Sequence, residues 1–155
     1  YLMIEYPRIP FPTSPILYGS LSGFGKNLFD LHLLEKDLPM TGIGYNGPVA
    51  PEVVRVAWLN DTVWLDAPTS RNGQPTRPGR VGFHGVPEAV WNFHVGGYKV
   101  CEKWLKDRKG RRLSAEDITH YQRIVVALSE TLRIMGEIDA VIEEHGGWPG
   151  AFQTE

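Results

Sequence analysis

VWNFHVGGYKVCEKWLKDRKGRRLS, residues 90–114, joins a β-like platform to a helical C-terminal part. Trp91, Phe93 and Val95 alternate with Asn92 and His94, which predicts a half-buried strand over 89–95. Gly96-Gly97 breaks it. Residues 98–108 then read as a short amphipathic helix, with Tyr98, Cys101, Trp104 and Leu105 on one side and Lys103, Lys106 and Asp107 on the other. Gly110 can end that helix in a left-handed cap. From Lys103 to Arg112 there are six cations, Lys103, Lys106, Arg108, Lys109, Arg111 and Arg112, against one acid, Asp107.

Downstream, Ser114 opens a long helix. SAED is a capping-box pattern, with Ser114 as N-cap and Asp117 at the third helical position. Ile118, Tyr121, Ile124, Val125, Leu128, Leu132, Met135, Ile138 and Ile142 trace one apolar stripe to about Glu144. At ~1.5 Å per residue the helix spans about 45 Å, and so long a stripe needs a long partner. The first helix is the candidate, from Ser14 or Pro15 to about residue 35. Ser14 can cap it and Pro15 suits its first turn. Leu17, Leu21, Phe24, Leu28 and Leu31 face one way.

Before that helix, residues 1–15 hold four prolines and predict an extended leading segment. Residues 36–51 read as a loop with Gly and Pro punctuation. EVVRVAWL (52–59) and TVWLD (62–66) read as strands, and Asn60-Asp61 suits a tight hairpin turn between them. RVGFHG (80–85) reads as another strand. Between these strands, residues 67–80 form a polar loop without an acid. The fold expected is α+β: a small, mostly antiparallel sheet with the N-terminal helix packed against the long C-terminal one. One domain is expected over 1–155. Its parts are a leading segment and helix (1–37), a β-rich platform with the polar loop 67–80 (38–97), and a short helix, basic loop and long helix (98–145).

The formal net charge of −2 gives no global field that would draw the chain to nucleic acid. Any such affinity must come from local patches. One cysteine, Cys101, excludes an internal disulfide and fits a reducing, cytoplasmic setting. No apolar run reaches membrane-spanning length. The chain starts on Tyr1 rather than Met, and the expectation is a piece of a longer protein.

The histidines, His32, His84, His94, His120 and His145, are scattered and form no metal-ligand motif with Cys or carboxylates. GFGK at 23–26 lacks the spacing of a phosphate loop, and no GxSxG elbow is present. Neither a catalytic residue nor a metal site is expected. The basic run reads in two ways. It is a solvated helix end whose cations offset the helix dipole, or a backbone-gripping site for DNA phosphates through Lys103, Lys106, Arg108, Lys109, Arg111 and Arg112. The polar loop likewise is a plain exposed loop or a reading loop. Arg71, Arg77 and Arg80 can bond guanine edges, and Asn72 and Gln74 adenine edges.

Three blocks carry a resemblance. WNFHVGGYKV (91–100), KWLKDRKGR (103–111) and LSAEDITHY (113–121) occur in order, and YPRIPFP with LFDLHLLE precedes them. The chain resembles the C-terminal specificity region of large adenine-specific DNA methyltransferases, the single-chain restriction–modification and helicase–methylase proteins of the Type ISP sort. Residues 38–80 match only loosely. The resemblance implies a target recognition domain that clamps double-stranded DNA against an N-terminal methyltransferase domain of the same chain. An adenine would be flipped out there and methylated from S-adenosylmethionine. The catalytic parts and the cofactor would then lie before Tyr1, in a parent enzyme that serves phage defence, and this chain alone would not be an enzyme. Trp104 and Leu105 would pack while the neighbouring cations face DNA. The rival expectation is a docking module that joins domains without touching DNA.

Overall fold

The computed structural model describes residues 10–34, 38–69 and 75–152. The chain divides into two compact units. One is built on the N-terminal helix and the chain from Arg133 onward; the other lies within Lys36–Leu132.

In the first unit, α1 (Pro15–His32) starts where the sequence predicts. Ser14 Oγ accepts the Leu17 N–H at 3.2 Å, and Pro15 opens the first turn. The long helix α4 (Ala115–Glu144) belongs to this unit from Arg133 on. Leu17 and Leu21 of α1 pack with Ile138, Val141 and Ile142 of α4 and with Ala151 and Phe152. A short helix, α5 (Gly147–Ala151), returns the chain. There the Thr13 N–H donates to Ala151 O at 2.8 Å and Pro12 bridges Phe152. The expected packing of the two helices is therefore present, but α1 covers only the last turns of α4. The stripe also shifts: Ile134 is buried and Met135 exposed.

The second unit carries the sheet. Its strands are β1 (Gly44–Asn46), β2 (Ala57–Leu59), β3 (Thr62–Trp64) and β4 (Gly82–His84), in the order β1-β4-β3-β2 and all antiparallel. Asn60 and Asp61 both have positive φ, +51° and +52°, the two-residue turn whose twist matches a hairpin. The first part of α4 lies on this sheet. Tyr121 is fully buried, its ring 4.5 Å from Phe83 of β4. Val53, Val63, Leu65, Leu105, Leu113 and Val125 fill in around them. Burial of this set supplies most of the driving force, at roughly 25 cal/mol per Å² of apolar surface.

Two elements differ from expectation. Residues 88–91 form a helical turn, α2 (Glu88–Trp91), rather than a strand. Val90 and Trp91 are buried side by side, which an alternating strand cannot do on one face. Only β5 (His94–Val95) remains extended, paired across Gly96-Gly97 with β6 (Tyr98–Lys99). The next helix, α3 (Val100–Lys106), starts two residues late for that reason. β1 arises within the expected loop because Tyr45 pairs with Phe83, their rings 5.2 Å apart. No described helix is long and apolar enough to cross a membrane.

Candidate nucleic-acid interface

After α3 the basic run is fastened to the chain before β2. The Gly110 N–H donates to Val53 O at 2.8 Å, the Val53 N–H to Arg111 O at 3.0 Å and the Leu113 N–H to Pro51 O at 2.9 Å. Arg112 stands opposite Glu52 in this antiparallel pairing. Val53 and Leu113 are buried beneath it. Gly110 takes φ +74° to turn the chain into place, a geometry that costs other residues strain. The loop is thus a preset surface feature, held by backbone bonds on one side and the core below.

Its six expected phosphate contacts fall into two groups. Lys103 donates to Asp107 Oδ1 at 2.6 Å and lies over the Tyr98 ring. Lys106 pairs with Glu102 at 2.9 Å. The Arg108 guanidinium carbon is 3.5 Å from the Trp104 ring centroid, Nη1 donates to Trp104 O at 3.1 Å, and Nε is 3.6 Å from Asp117. Lys109, Arg111 and Arg112 are exposed and make no ion pair with a described residue. Exposed pairs such as Lys103–Asp107 and Lys106–Glu102 are worth only ~0.2–1 kcal/mol and exchange easily for a phosphate. Arg108 is held by stacking as well.

The polar loop is tied at its base by Asp66. Its carboxylate accepts the Arg80 N–H at 3.0 Å and 3.1 Å and the Val81 N–H at 3.0 Å. A Cβ added at Gly79 would run into that carboxylate. Arg77 and Arg80 are exposed, again without an ion pair to a described residue. Arg71, Asn72 and Gln74 lie outside the described residues.

Two hollows open beside this region. One of about 260 Å³ is lined by Arg55, Val56, Glu102, Lys106 and Lys109. The other, about 210 Å³, shares Val56 and Glu102 and adds Trp58, Pro75, Trp91 and Lys99. Pro75 brings the polar loop to the second hollow, while Lys106 and Lys109 bring the basic run to the first. Arg77, Arg80, Arg111 and Arg112 line neither. Arg55 and Lys99 were not singled out from the sequence. Arg55 sits inside the apolar run EVVRVAWL, and a lone cation there was the available signal.

Cys101 is fully buried, and burial pushes its thiol up to about 12, only partly offset by the Tyr121 hydroxyl beside it. Among the described residues no group of three His, Cys, Asp or Glu side chains could hold a metal.

A family model described as the Type ISP C-terminal specificity domain matches residues 1–137. No curated protein matches. Among solved structures, the chain is similar to a nuclease-deletion mutant of the Type ISP restriction–modification enzyme LlaGI in complex with a DNA substrate mimic. The identity is 17% and the TM-score 0.56, over 86% of this chain and 11% of that one. It is also similar to the ATP-dependent Type ISP restriction–modification enzyme LlaBIII bound to DNA. Here the identity is 17% and the TM-score 0.58, over 86% of this chain and 9% of that one. The chain spans about a tenth of the length of either enzyme, and at this identity the likeness concerns the fold.

Proposed function

The chain belongs to the Type ISP C-terminal specificity domains, and from that premise we propose that it grips and reads double-stranded DNA for a restriction–modification enzyme. The observation that carries the reading is the set Lys109, Arg111 and Arg112, exposed and unpaired among the described residues on a loop that backbone bonds to Pro51 and Val53 hold rigid. Cations presented this way release counterions when they meet phosphates, without losing an internal partner. Lys103 and Lys106 add to them by exchanging their surface pairs, and Arg108 acts mainly through its neighbours. The polar loop supplies the sequence readers, Arg77 and Arg80, beside the Asp66 anchor at its base, and Arg71, Asn72 and Gln74 of the same loop are the further reader candidates by their chemistry.

The parent enzyme, in this reading, methylates an adenine in the bound target. S-adenosylmethionine would be held by a separate methyltransferase domain. Its sulfonium is cationic and does not match the hollow ringed by Arg55, Lys106 and Lys109, so no step of that chemistry is assigned to this chain. The direct test is a fluorescence-anisotropy titration of a labelled duplex with the 155-residue chain. Binding that weakens steeply with added salt is expected. No binding even at low salt contradicts the reading and favours a docking role, to which the internal pairs of Lys103, Lys106 and Arg108 would belong.

A further inference from the structure

We propose that the hollow of about 260 Å³ beside α3 is a pocket for a single phosphate group, with Arg55 as its principal ligand. The proposal rests on the DNA reading above and extends it to a residue outside the basic run. Arg55, Lys106 and Lys109 converge on this hollow from different parts of the chain, against one carboxylate, Glu102. The volume is several times the ~30 Å³ share of a water molecule, enough for a phosphodiester oxygen pair and its bound water.

The three cations differ in how firmly their backbones are held. The Arg55 N–H donates to Leu65 O at 2.8 Å and Arg55 O accepts the Ala67 N–H at 3.0 Å. Both backbone groups are used, and the residue is bridged to Asp66. Its guanidinium has no ion-pair partner among the described residues. An unpaired guanidinium on a fastened backbone is the donor that suits phosphate, because it can offer two parallel N–H bonds. Lys109 is placed by the turn after α3, where its N–H donates to Lys106 O at 3.1 Å. Lys106 is held by Glu102 at 2.9 Å in the free protein. Glu102 thereby does two things. It parks Lys106 at the hollow's edge, and it repels an anion that has not displaced it.

Arg55 pairs through its backbone with Asp66, whose carboxylate anchors the base of the polar loop, so the principal ligand of the pocket is the pairing neighbour of the residue that ties that loop.

The test uses the whole chain. Inorganic phosphate is titrated while the Arg Nε–H and backbone amide signals are followed by NMR, and duplex DNA affinity is then measured for wild type and Arg55→Gln. The expected result is saturable shifts at Arg55 and Lys109 that vanish in Arg55→Gln. DNA binding should fall about tenfold in Arg55→Gln, as for loss of a charge-assisted hydrogen bond. Glutamine keeps the backbone bonds, and unchanged amide signals elsewhere in the variant establish that it folds. Shifts that spread over all exposed cations without saturating, with Arg55→Gln binding DNA as wild type, overturn the pocket and leave the DNA reading intact. Saturable phosphate binding by a chain that binds no duplex upholds the pocket and removes the DNA reading.

Discussion

The guanidinium of Arg108 rests 3.5 Å from the centre of the Trp104 ring while its Nε reaches toward Asp117, 3.6 Å away. Three elements are linked through one side chain: α3, the basic loop and the start of α4. Trp104 in turn packs on Tyr121, ring centres 5.4 Å apart. Cation–π contact contributes ~0.5–2 kcal/mol and the bond to Trp104 O about 1 kcal/mol. Arg108→Ala is therefore expected to lower stability by about 1–2 kcal/mol in urea melts. Arg108→Lys should recover only part of this, because an ammonium cannot stack or fork as a guanidinium does. A variant as stable as wild type would show that the stacking is incidental.

Asp117 is expected to make stability depend on acid. The Ser114 N–H donates to Asp117 Oδ2 at 3.0 Å, and the Asp117 N–H donates to Ser114 Oγ at 3.0 Å. The Ser114 backbone bond, and after it the Ser114 hydroxyl and Arg108, hold the Asp117 carboxyl below the usual range despite an opposing push from burial. A carboxyl lowered by folding adds stability above its unfolded value of ~3.9, and this is lost as pH falls through the lower folded value. Asp117→Ala should cost about 1 kcal/mol at neutral pH. Asp117→Asn should flatten the loss of stability below about pH 4. Urea midpoints at neutral and acid pH measure both; equal acid sensitivity of Asp117→Asn and wild type would contradict the assignment.

Much of this frame is written locally. Ser14 with Pro15, Ser114 with Asp117, and Asn60-Asp61 each carry their own hydrogen-bond chemistry, so α1, α4 and the β2–β3 hairpin can be read from a few residues. β1 cannot, since GYN becomes a strand only when Phe83 supplies its partner. Trp91-Asn92-Phe93 alternates in the sequence, yet burial of the adjacent Val90 and Trp91 selects a helical turn. The basic run was visible as a cluster of charge. Its division into paired and free members was also there in part, because Glu102–Lys106 and Lys103–Asp107 are four residues apart on a helix. The hollow at Arg55 was not, because it depends on two segments far apart in the chain.

Cys101 should be inert until the core opens. Its thiol is buried and its pKa raised to about 12, so almost none is thiolate at pH 8, and reagent access is closed. A disulfide reagent at pH 8 is expected to react only as urea unfolds the protein, with the same midpoint as loss of helix signal. Fast labelling without denaturant would place Cys101 nearer the surface.

Asp66 should matter to target choice more than to affinity. Asp66→Ala removes the acceptor for the Arg80 and Val81 N–H groups, a loss of roughly 1–3 kcal/mol in stability. If the proposed methylating enzyme carries this chain, methylation mapping of that enzyme should then find a relaxed target motif, as it should for Arg77→Ala. An unaltered motif in both variants would move the base readers away from this loop.

The salt dependence of duplex binding tests the central claim, that Lys109, Arg111 and Arg112 meet phosphates directly. Each phosphate contact adds about 0.9 to the slope of log K against log salt. Replacing all three with Ala should cut the slope by roughly two to three and weaken binding to every sequence alike. Replacing the paired Lys103 and Lys106 should cut it less. A triple variant with the slope of wild type, in a protein that still melts cooperatively, would contradict the account.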